Sequence, residues 1–385
     1  MTRGNESTIG SEAMDFSRGE EGLSPSESPK KMSNSASGLT PARRSNLRCW
    51  KAPLASTPFS QEVSNMTRSR FNEAYSYKKL SQIGSGGFGN CFLLERSTDK
   101  ALRVCKVQQR AYCYKLDDYE DGPIEASILR DILPPHDRIL RLHQVVVQTH
   151  TVQLYYDFYA GGDLNQLIQS YRDHWQRIPE EFLWHAYQQI SEALAFIHYG
   201  YDRRTLCPPP ADWISIIHGD VKDKNIFLGP PDPYSSDPLA REYPSLALGD
   251  FGLADLHPSR RWGTPIWQPP ELPMLSQKSD VWGAGAVIHS LAHEGKPPIL
   301  ELPAFTSDVT WWQWCESPDA RQAIPLVPKY SYDLQDCVLG ALDLDAMARL
   351  TSYQLYSKVT AVWNVQMAPY LDVVTPLIPP APYKQ

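Results

Sequence analysis

One short stretch, residues 216–228, constrains the fold more than any other part of the chain. Its sequence is IIHGDVKDKNIFL, in which one apolar run leads into a polar turn and a second apolar run leaves it. In such a turn an Asp can orient and deprotonate a hydroxyl, a Lys can neutralise charge on a moving phosphate, and an Asn can hold a metal ion. The stretch therefore predicts a phosphoryl-transfer site with Asp220 and Lys222 as catalytic residues and Asn225 as a metal ligand.

Composition limits the kind of protein that carries this turn. The chain has 385 residues, of which 42% are hydrophobic, and this suits one large two-lobed domain with a tail. The formal net charge of -7 argues against nucleic acid as the main partner. No apolar run approaches the roughly 18–20 residues that cross a bilayer, which predicts no membrane partner. The 7 scattered cysteines, without a C-x-x-C pair, indicate reduced thiols and an intracellular protein, cytoplasmic or nuclear.

The two ends of the chain are predicted to be tails. Residues 1–74 are dominated by Ser, Gly, Asn, Pro and charge without sustained periodicity, which predicts disorder, and residues 368–385 are predicted to form a C-terminal tail. Ser/Thr-Pro dipeptides recur in the first tail, and those at Ser28 and Thr40 have a basic residue two positions after the proline. These contexts resemble sites of cyclin-dependent kinases and predict a proline-directed kinase as a partner. Chance matches in a Ser/Pro-rich segment explain them equally well.

A glycine-rich turn opens the ordered part of the chain. The strand-like run 77–83 leads into GSGGFG at 84–89, and a second strand-like run follows at 91–95. Glycines permit a tight turn whose backbone N–H groups approach phosphates closely. A dinucleotide-binding fingerprint would place a helix after the glycines, so the second apolar strand favours a strand–turn–strand loop over phosphates.

The stretch at 216–228 resembles the H-R-D-x-K-x-x-N catalytic loop of protein kinases, in a non-RD form because Gly219 stands where Arg is usual. By itself it is also similar to the loop of aminoglycoside and choline kinases. Further protein-kinase motifs follow in the family's order, at Lys106, Glu125, 250–252 (DFG), 263–271 (GTPIWQPPE), 279–285 (SDVWGAG) and Arg349. The chain is therefore similar to eukaryotic Ser/Thr protein kinases over about 75–365. The segments 161–168, 225–228 and 248–250 add a local similarity to NIMA-related kinases.

This resemblance implies an α+β fold with a small β-rich N-lobe and a larger α-helical C-lobe, forming a kinase domain over residues 75–367. It also implies ATP and Mg²⁺ in the cleft and ATP-dependent phosphorylation of Ser/Thr hydroxyls on protein substrates. A small-molecule kinase is a weaker alternative, because it does not explain the motifs at 263–271 and 279–285. The other alternative is a pseudokinase scaffold that binds nucleotide or partners without efficient catalysis. It arises because Cys91 and Val104 stand where the family commonly has Val and Ala above the adenine, and Val104 could crowd the ring.

The resemblance also assigns roles to individual residues. Lys106 would hold the α- and β-phosphates and pair with Glu125, so both join Asp220 and Lys222 as predicted catalytic residues, while Asp250 joins Asn225 as a metal ligand. The predicted nucleotide-binding residues lie in the glycine-rich loop, above the adenine and in the hinge: Ile83, Gly84, Gly86, Gly89, Cys91, Val104, Lys106, Asp157, Tyr159 and Asp163. The supporting contacts that the family implies are a gatekeeper at Tyr156, a cap on the catalytic loop from Asp280, a contact of Thr264 with Asp220 and Lys222, and a Glu271–Arg349 pair. The loops 201–213 and 229–243 lack periodicity and are predicted to be surface insertions, and the sequence leaves open whether they bind partners.

Overall fold

The computed structural model describes residues 76–86, 89–110, 123–204, 210–259, 263–271, 274–300, 310, 313–314, 317–322, 324–368 and 373–380. All of these residues belong to the unit Leu54–Gln385. The predicted N-terminal tail, residues 1–74, lies outside the described residues.

The N-lobe is built on a 5-stranded antiparallel sheet with the order β1-β2-β3-β5-β4. Its strands are β1 (Tyr77–Gly86), β2 (Gly89–Arg96), β3 (Leu102–Gln109), β4 (Leu142–Val147) and β5 (Thr151–Asp157). Gly86 pairs with Gly89 at the end of the β1–β2 ladder, so the predicted strand–turn–strand at the glycines is confirmed. β5 alternates buried and half-buried residues, as a strand with one covered face does.

Within the described residues of the N-lobe, one helix accompanies this sheet. It begins after Pro123 as α1 (Ile124–Ser127) and continues as a π-helix over Ile128–Ile132. Leu133 N donates to Ile128 O at 2.8 Å, which is the i→i−5 spacing of a π-helix. Ile124, Ile128 and Ile132 recur at helical spacing and are buried in the main core.

The C-lobe is helical. Its helices are α2 (Leu164–Asp173), α3 (Glu180–Tyr199), α4 (Pro238–Glu242), α5 (Gln277–Ala292), α6 (Tyr332–Ala341) and α7 (Ser352–Val362), the last continuing as a π-helix over Trp363–Met367. α3 and α5 are buried along almost their whole length and form the centre of the lobe. A Cβ on Gly283 of α5 would lie 2.7 Å from Cβ of Val221, so the glycine permits this helix to approach the catalytic loop. None of the helices within the described ranges is long and apolar enough to span a membrane.

A small antiparallel ladder positions Asn225 and Asp250. β6 (Ile226–Leu228) pairs with β7 (Leu246–Leu248), and Gly249 N donates to Asn225 O at 2.9 Å. Asn225 lies immediately before β6, and Asp250 follows β7 by two residues. The ladder therefore places the ends of two sequence motifs side by side.

The loop 229–243 is more structured than its lack of periodicity indicated. It contains α4, whose N-cap Asp237 accepts a hydrogen bond from Leu239 N, and both Leu239 and Tyr243 are buried. A helix of five residues is too short to produce a periodic pattern. The ends of the other predicted insertion also pack on the domain, because Tyr201 contacts two tyrosine rings of α7 and Trp213 packs edge-on against Phe196.

Candidate active site

The buried carboxylate of Asp280, at the start of α5, binds the backbone of the catalytic loop. Asp280 Oδ2 accepts a hydrogen bond from His218 N at 2.7 Å, and Oδ1 accepts one from Gly219 N at 2.8 Å. His198 Nε2 of α3 lies 3.0 Å from Oδ2. Asp280 is 1% exposed, so these bonds are made in a dry environment where an ionised acceptor is strong. The cap that the resemblance implied at Asp280 is confirmed.

The carboxylate of Asp220 is surrounded by donors. Oδ1 accepts bonds from the backbone N and the hydroxyl of Thr264 at 2.8 and 2.9 Å, and Oδ2 lies 2.5 Å from Lys222 Nζ. Lys222 Nζ also donates to Thr264 Oγ1 at 2.7 Å. Asn225 Nδ2 donates to Asp220 O at 2.9 Å and lies 3.3 Å from Oδ2. The loop and residue 264 therefore hold the carboxylate in one orientation.

A lysine joins the two lobes at the cleft. Lys106 Nζ of β3 lies 2.8 Å from Glu125 Oε2 of α1 and 2.6 Å from Asp250 Oδ1. Burial alone would lower the pKa of Lys106, but the charges of Asp250 and Glu125 outweigh it and raise the pKa. Burial likewise opposes ionisation of Asp250, and the neighbouring Lys106 nevertheless holds the pKa of this carboxyl below its usual range. Lys106 and Asp250 are therefore both charged near neutral pH.

The backbone around Asp250 fixes the direction of its side chain. Asp250 has φ 62°, a left-handed conformation that is uncommon for a residue other than glycine and is typical of strained functional sites. The next residue, Phe251, is fully buried, and its ring lies 4.7 Å from the His218 ring in an edge-to-face contact. His218 Nε2 lies 3.0 Å from Gly249 O. The catalytic loop and the segment carrying Asp250 thus support each other.

Lys106, Glu125 and Asp250 line one cleft of about 350 Å³, within the size range of small-molecule sites. Most predicted nucleotide-binding residues line it: Ile83, Gly84, Gly89, Cys91, Val104, Lys106, Asp157, Tyr159 and Asp163, together with Glu125, Asn225 and Asp250. Gly86 lies at the end of β1, opposite Gly89. Asp220 does not line the cleft but contacts the lining residue Asn225, and Lys222 contacts Asp220.

The cleft has an apolar interior. Cys91 and Val104 contribute from the N-lobe sheet, and Leu140 and Phe227 complete the lining. Burial raises the pKa of the Cys91 thiol to about 11, so this side chain is neutral and serves as a small apolar contact. Sequence reasoning missed Leu140 and Phe227, because the run IFL at 226–228 is apolar throughout and does not mark which side chain faces the cleft.

The hinge between the lobes carries two predicted binding residues with polar partners. The Asp157 carboxylate lies 2.7 Å from His143 Nε2 and 3.4 Å from Arg103, which ties the end of β5 to β4 and β3. Asp163 caps α2, accepting from Gln166 N at 2.9 Å. Burial raises the pKa of Asp163 to about 6, against the hydrogen bond from Gln166.

The oxygen atoms and the ammonium group in the cleft fit Mg²⁺ and ATP. Asn225 uses Nδ2 as a donor, so Oδ1 is available as a ligand, and Asp250 keeps a second carboxylate oxygen beyond the one that contacts Lys106. Hard oxygen ligands are what Mg²⁺ prefers, and one or two protein ligands suffice when phosphates and water complete the shell. The ammonium of Lys106 supplies positive charge in the same cleft.

Some supporting residues gave no sequence signal. Arg321 is 4% exposed, and its guanidinium donates to Gln268 O at 2.9 Å and to Pro265 O at 2.5 Å, bracing the segment that carries Thr264. Gln268 Nε2 in turn donates to Gly219 O at 3.3 Å. By contrast, the resemblance implied the Glu271–Arg349 pair, and it is confirmed by two contacts of 2.6 and 2.8 Å.

The chain is also similar to known protein kinases. A family model described as protein kinase domain matches residues 77–359. The chain is 27% identical over 291 residues to the G2-specific protein kinase nim-1 of Neurospora crassa, covering 69% of this chain and 32% of that protein. It is 30% identical over 304 residues to the G2-specific protein kinase fin1 of Schizosaccharomyces pombe, with coverages of 72% and 38%.

A third relative is the probable serine/threonine-protein kinase nek2 of Dictyostelium discoideum, 29% identical over 234 residues, with 57% of this chain and 49% of that protein covered. The chain thus spans about a third to a half of the length of these relatives. The predicted similarity to NIMA-related kinases is confirmed by these matches.

Proposed function

The chain belongs to the protein kinase family, and from this premise we propose that it catalyses ATP-dependent phosphorylation of serine and threonine hydroxyls on protein substrates. The predicted two-lobed α+β fold is confirmed by the family match and by the sheet and helices described above. The observation that carries the proposal is the contact of Lys106 with both Glu125 and Asp250, at 2.8 and 2.6 Å. This contact joins β3, α1 and the segment after β7 into one charged site.

Each residue has a distinct task in the proposed reaction. Asp220 accepts the proton of the substrate hydroxyl, and Thr264 and Lys222 hold its carboxylate in position for this. Lys106 binds the α- and β-phosphates, and Lys222 offsets negative charge near the transferred group. Asn225 and Asp250 would hold Mg²⁺, which would neutralise negative charge on the phosphates.

A scaffold without efficient catalysis is the second candidate, because Cys91 and Val104 line the nucleotide cleft. The methyl groups of Val104 reduce the space for the adenine, and this would weaken ATP binding. The first proposal remains preferred because Lys106, Glu125, Asp220, Lys222, Asn225 and Asp250 are all present. Their side chains also lie close together, with Lys106 between Glu125 and Asp250 and with Asp220 in contact with Lys222 and Asn225.

Removal of the proposed base tests the reaction. We expect Asp220→Asn to lower the rate of phosphate transfer from Mg-ATP to a mixed Ser/Thr peptide library by roughly 100-fold or more, because the amide cannot accept the proton. Asp212→Asn, which removes the same charge from an exposed position, is the matched control and should leave the rate unchanged. A folded Asp220→Asn protein as fast as the wild type would refute the proposal. A wild type that binds ATP without transferring phosphate would support the scaffold.

The proposal extends to the rest of the chain. We infer a kinase domain over residues 75–367 in an intracellular protein, cytoplasmic or nuclear, that acts on proteins rather than on nucleic acid. The formal charge of -7 and the unpaired pattern of the 7 cysteines support this. Within residues 1–74, Ser28 and Thr40 would be targets of a proline-directed kinase, since both precede proline with a basic residue nearby.

A further inference from the structure

Arg321 is a buried cation that binds residues 264–268, here called the support segment. It is 4% exposed, and three backbone carbonyls accept hydrogen bonds from its guanidinium. Nε donates to Gln268 O at 2.9 Å, and the terminal nitrogens donate to Pro265 O at 2.5 Å and to Ser317 O at 2.7 Å. A guanidinium presents five N–H groups in fixed directions, so this one side chain fixes the positions of several carbonyls.

The backbone of Arg321 is attached to the chain that follows α5. Arg321 forms an antiparallel bridge with Ile299, and Leu300 N donates to Ala320 O at 2.8 Å. Asp280, whose carboxylate binds the backbone of the catalytic loop, lies in the first turn of the same helix. α5 therefore connects the residue that binds the catalytic loop with the residue that binds the support segment.

The support segment contacts the catalytic loop at both of its ends. Thr264 N and Oγ1 donate to Asp220 Oδ1 at 2.8 and 2.9 Å, and Gln268 Nε2 donates to Gly219 O at 3.3 Å. The packing between these contacts is close, because a Cβ on Gly263 would lie 2.4 Å from Gly219 O. A shift of the support segment would therefore displace the carboxylate of Asp220.

The nucleotide cleft is formed by other residues. Among the described residues that line it, none belongs to the support segment, and Arg321 is not one of them. A shift of the support segment would therefore move the proposed base and leave the site for ATP in place.

We propose that Arg321 is a positioning residue for Asp220, acting through the support segment. The inference rests on the proposed phosphoryl transfer, in which Asp220 accepts the proton of the substrate hydroxyl. Misplacing a reacting group by about 1 Å can lower a rate by on the order of 100-fold, so the bonds from Arg321 affect kcat. Lysine carries a single nitrogen on a flexible stem and does not reproduce three bonds in fixed directions.

The kinetic test replaces Arg321 with lysine in the full chain, which keeps the charge and removes the planar guanidinium. We expect Arg321→Lys to lower kcat, counted per Mg-ATP-binding site, about tenfold or more, and to leave KM for ATP unchanged within about twofold. Arg241→Lys is the matched control, because Arg241 also donates to backbone carbonyls but is exposed in the loop 229–243. It should keep the wild-type kcat. An unchanged kcat in Arg321→Lys would overturn the inference, whatever happens to KM.

Hydrogen exchange distinguishes positioning from general destabilisation and does not depend on activity. In Arg321→Lys the Thr264 amide, which donates to Asp220, should exchange about tenfold faster than in the wild type. The His218 amide, which donates to Asp280, should keep its wild-type rate. Equal acceleration at both amides would show a general structural role and refute positioning. A wild type that transfers no phosphate would refute the proposed function, and the same two amides would still decide what Arg321 does.

If Arg321→Lys does not fold, native-state hydrogen exchange of the wild type decides. The Thr264 amide and the Arg321 Nε–H should then become exchangeable together, with the same dependence on low concentrations of urea. The His218 amide should remain protected under those conditions. Independent opening of the Thr264 amide and the Arg321 Nε–H would contradict the inference.

Discussion

Replacing Gly219 with alanine is the sharpest test of how the catalytic loop is held. Gly219 has φ 76°, in the left-handed region, and a Cβ built on it would lie 3.2 Å from Leu253 O. Its N–H is also fixed by the bond to Asp280. The loop therefore has little freedom to relax, because a change of backbone conformation would break a buried, charge-assisted hydrogen bond.

The size of the effect follows from these contacts. A non-glycine residue in the left-handed region costs about 1–2 kcal/mol, and the crowded carbonyl of Leu253 raises the expected loss of unfolding free energy to about 1–3 kcal/mol. Gly84→Ala is the matched control, because its Cβ meets only the Cβ of Cys91 at 3.6 Å and its φ lies outside the left-handed region. Both variants lose the same unfolded-state entropy, so the difference between them isolates the native strain.

The assay is equilibrium urea unfolding of the full chain, followed by the turnover number on a peptide substrate. We expect Gly219→Ala to unfold at a lower midpoint than Gly84→Ala with the same slope. Its turnover should fall roughly tenfold or more, since displacing Gly219 shifts the adjacent Asp220. Equal midpoints for the two variants would refute the strain argument. A normal turnover in a destabilised Gly219→Ala would refute the coupling of this residue to Asp220.

Three other outcomes follow from the site. Because burial raises the pKa of Asp163 to about 6, the carboxyl is ionised above that pH and protonated below it. The KM for ATP should therefore rise as the pH falls from about 7.5 to about 5.5. Asp163→Asn should remove this pH dependence of KM. Exposed Lys224 lines the cleft and would repel arginine, so a peptide library should show no dominant Arg two or three residues before the target, and dominant Arg would contradict this. Phosphatase-treated wild type and Ser259→Ala should both keep full turnover. Gly219 offers no cation to bind a phosphate, and the backbone of Ser259 already forms a β-bridge with Leu275. A loss of turnover that phosphorylation restores would disprove this expectation.

Some features of the fold could be predicted from short segments alone. The strand–turn–strand at the glycines followed from apolar runs flanking GSGGFG. Local signals also mark α3, residues 180–199: its first turn is acidic, its apolar residues repeat at helical spacing, and Gly200 ends it at φ 74°. Such signals act over a few neighbouring residues, so the sequence contains them in full.

The order of the kinase motifs also identified the residues of the cleft before their geometry was known. Lys106 and Glu125 were predicted to pair, and the structure places them 2.8 Å apart. Periodicity did not predict this pair; it came from the resemblance, because the distance depends on how α1 packs on the sheet.

Only the tertiary structure showed the contacts that no motif marks. Arg321 supports the backbone of Pro265 and Gln268 from more than fifty positions away, and residues 378 and 379 contact Tyr171 and Ser170 from more than two hundred. These partners are backbone carbonyls, amides and hydroxyls, which every segment of a chain offers, so neither composition nor spacing singles them out. Local sequence preferences determine the helices and strands. Packing determines which distant polar groups are buried away from water and therefore form hydrogen bonds with each other.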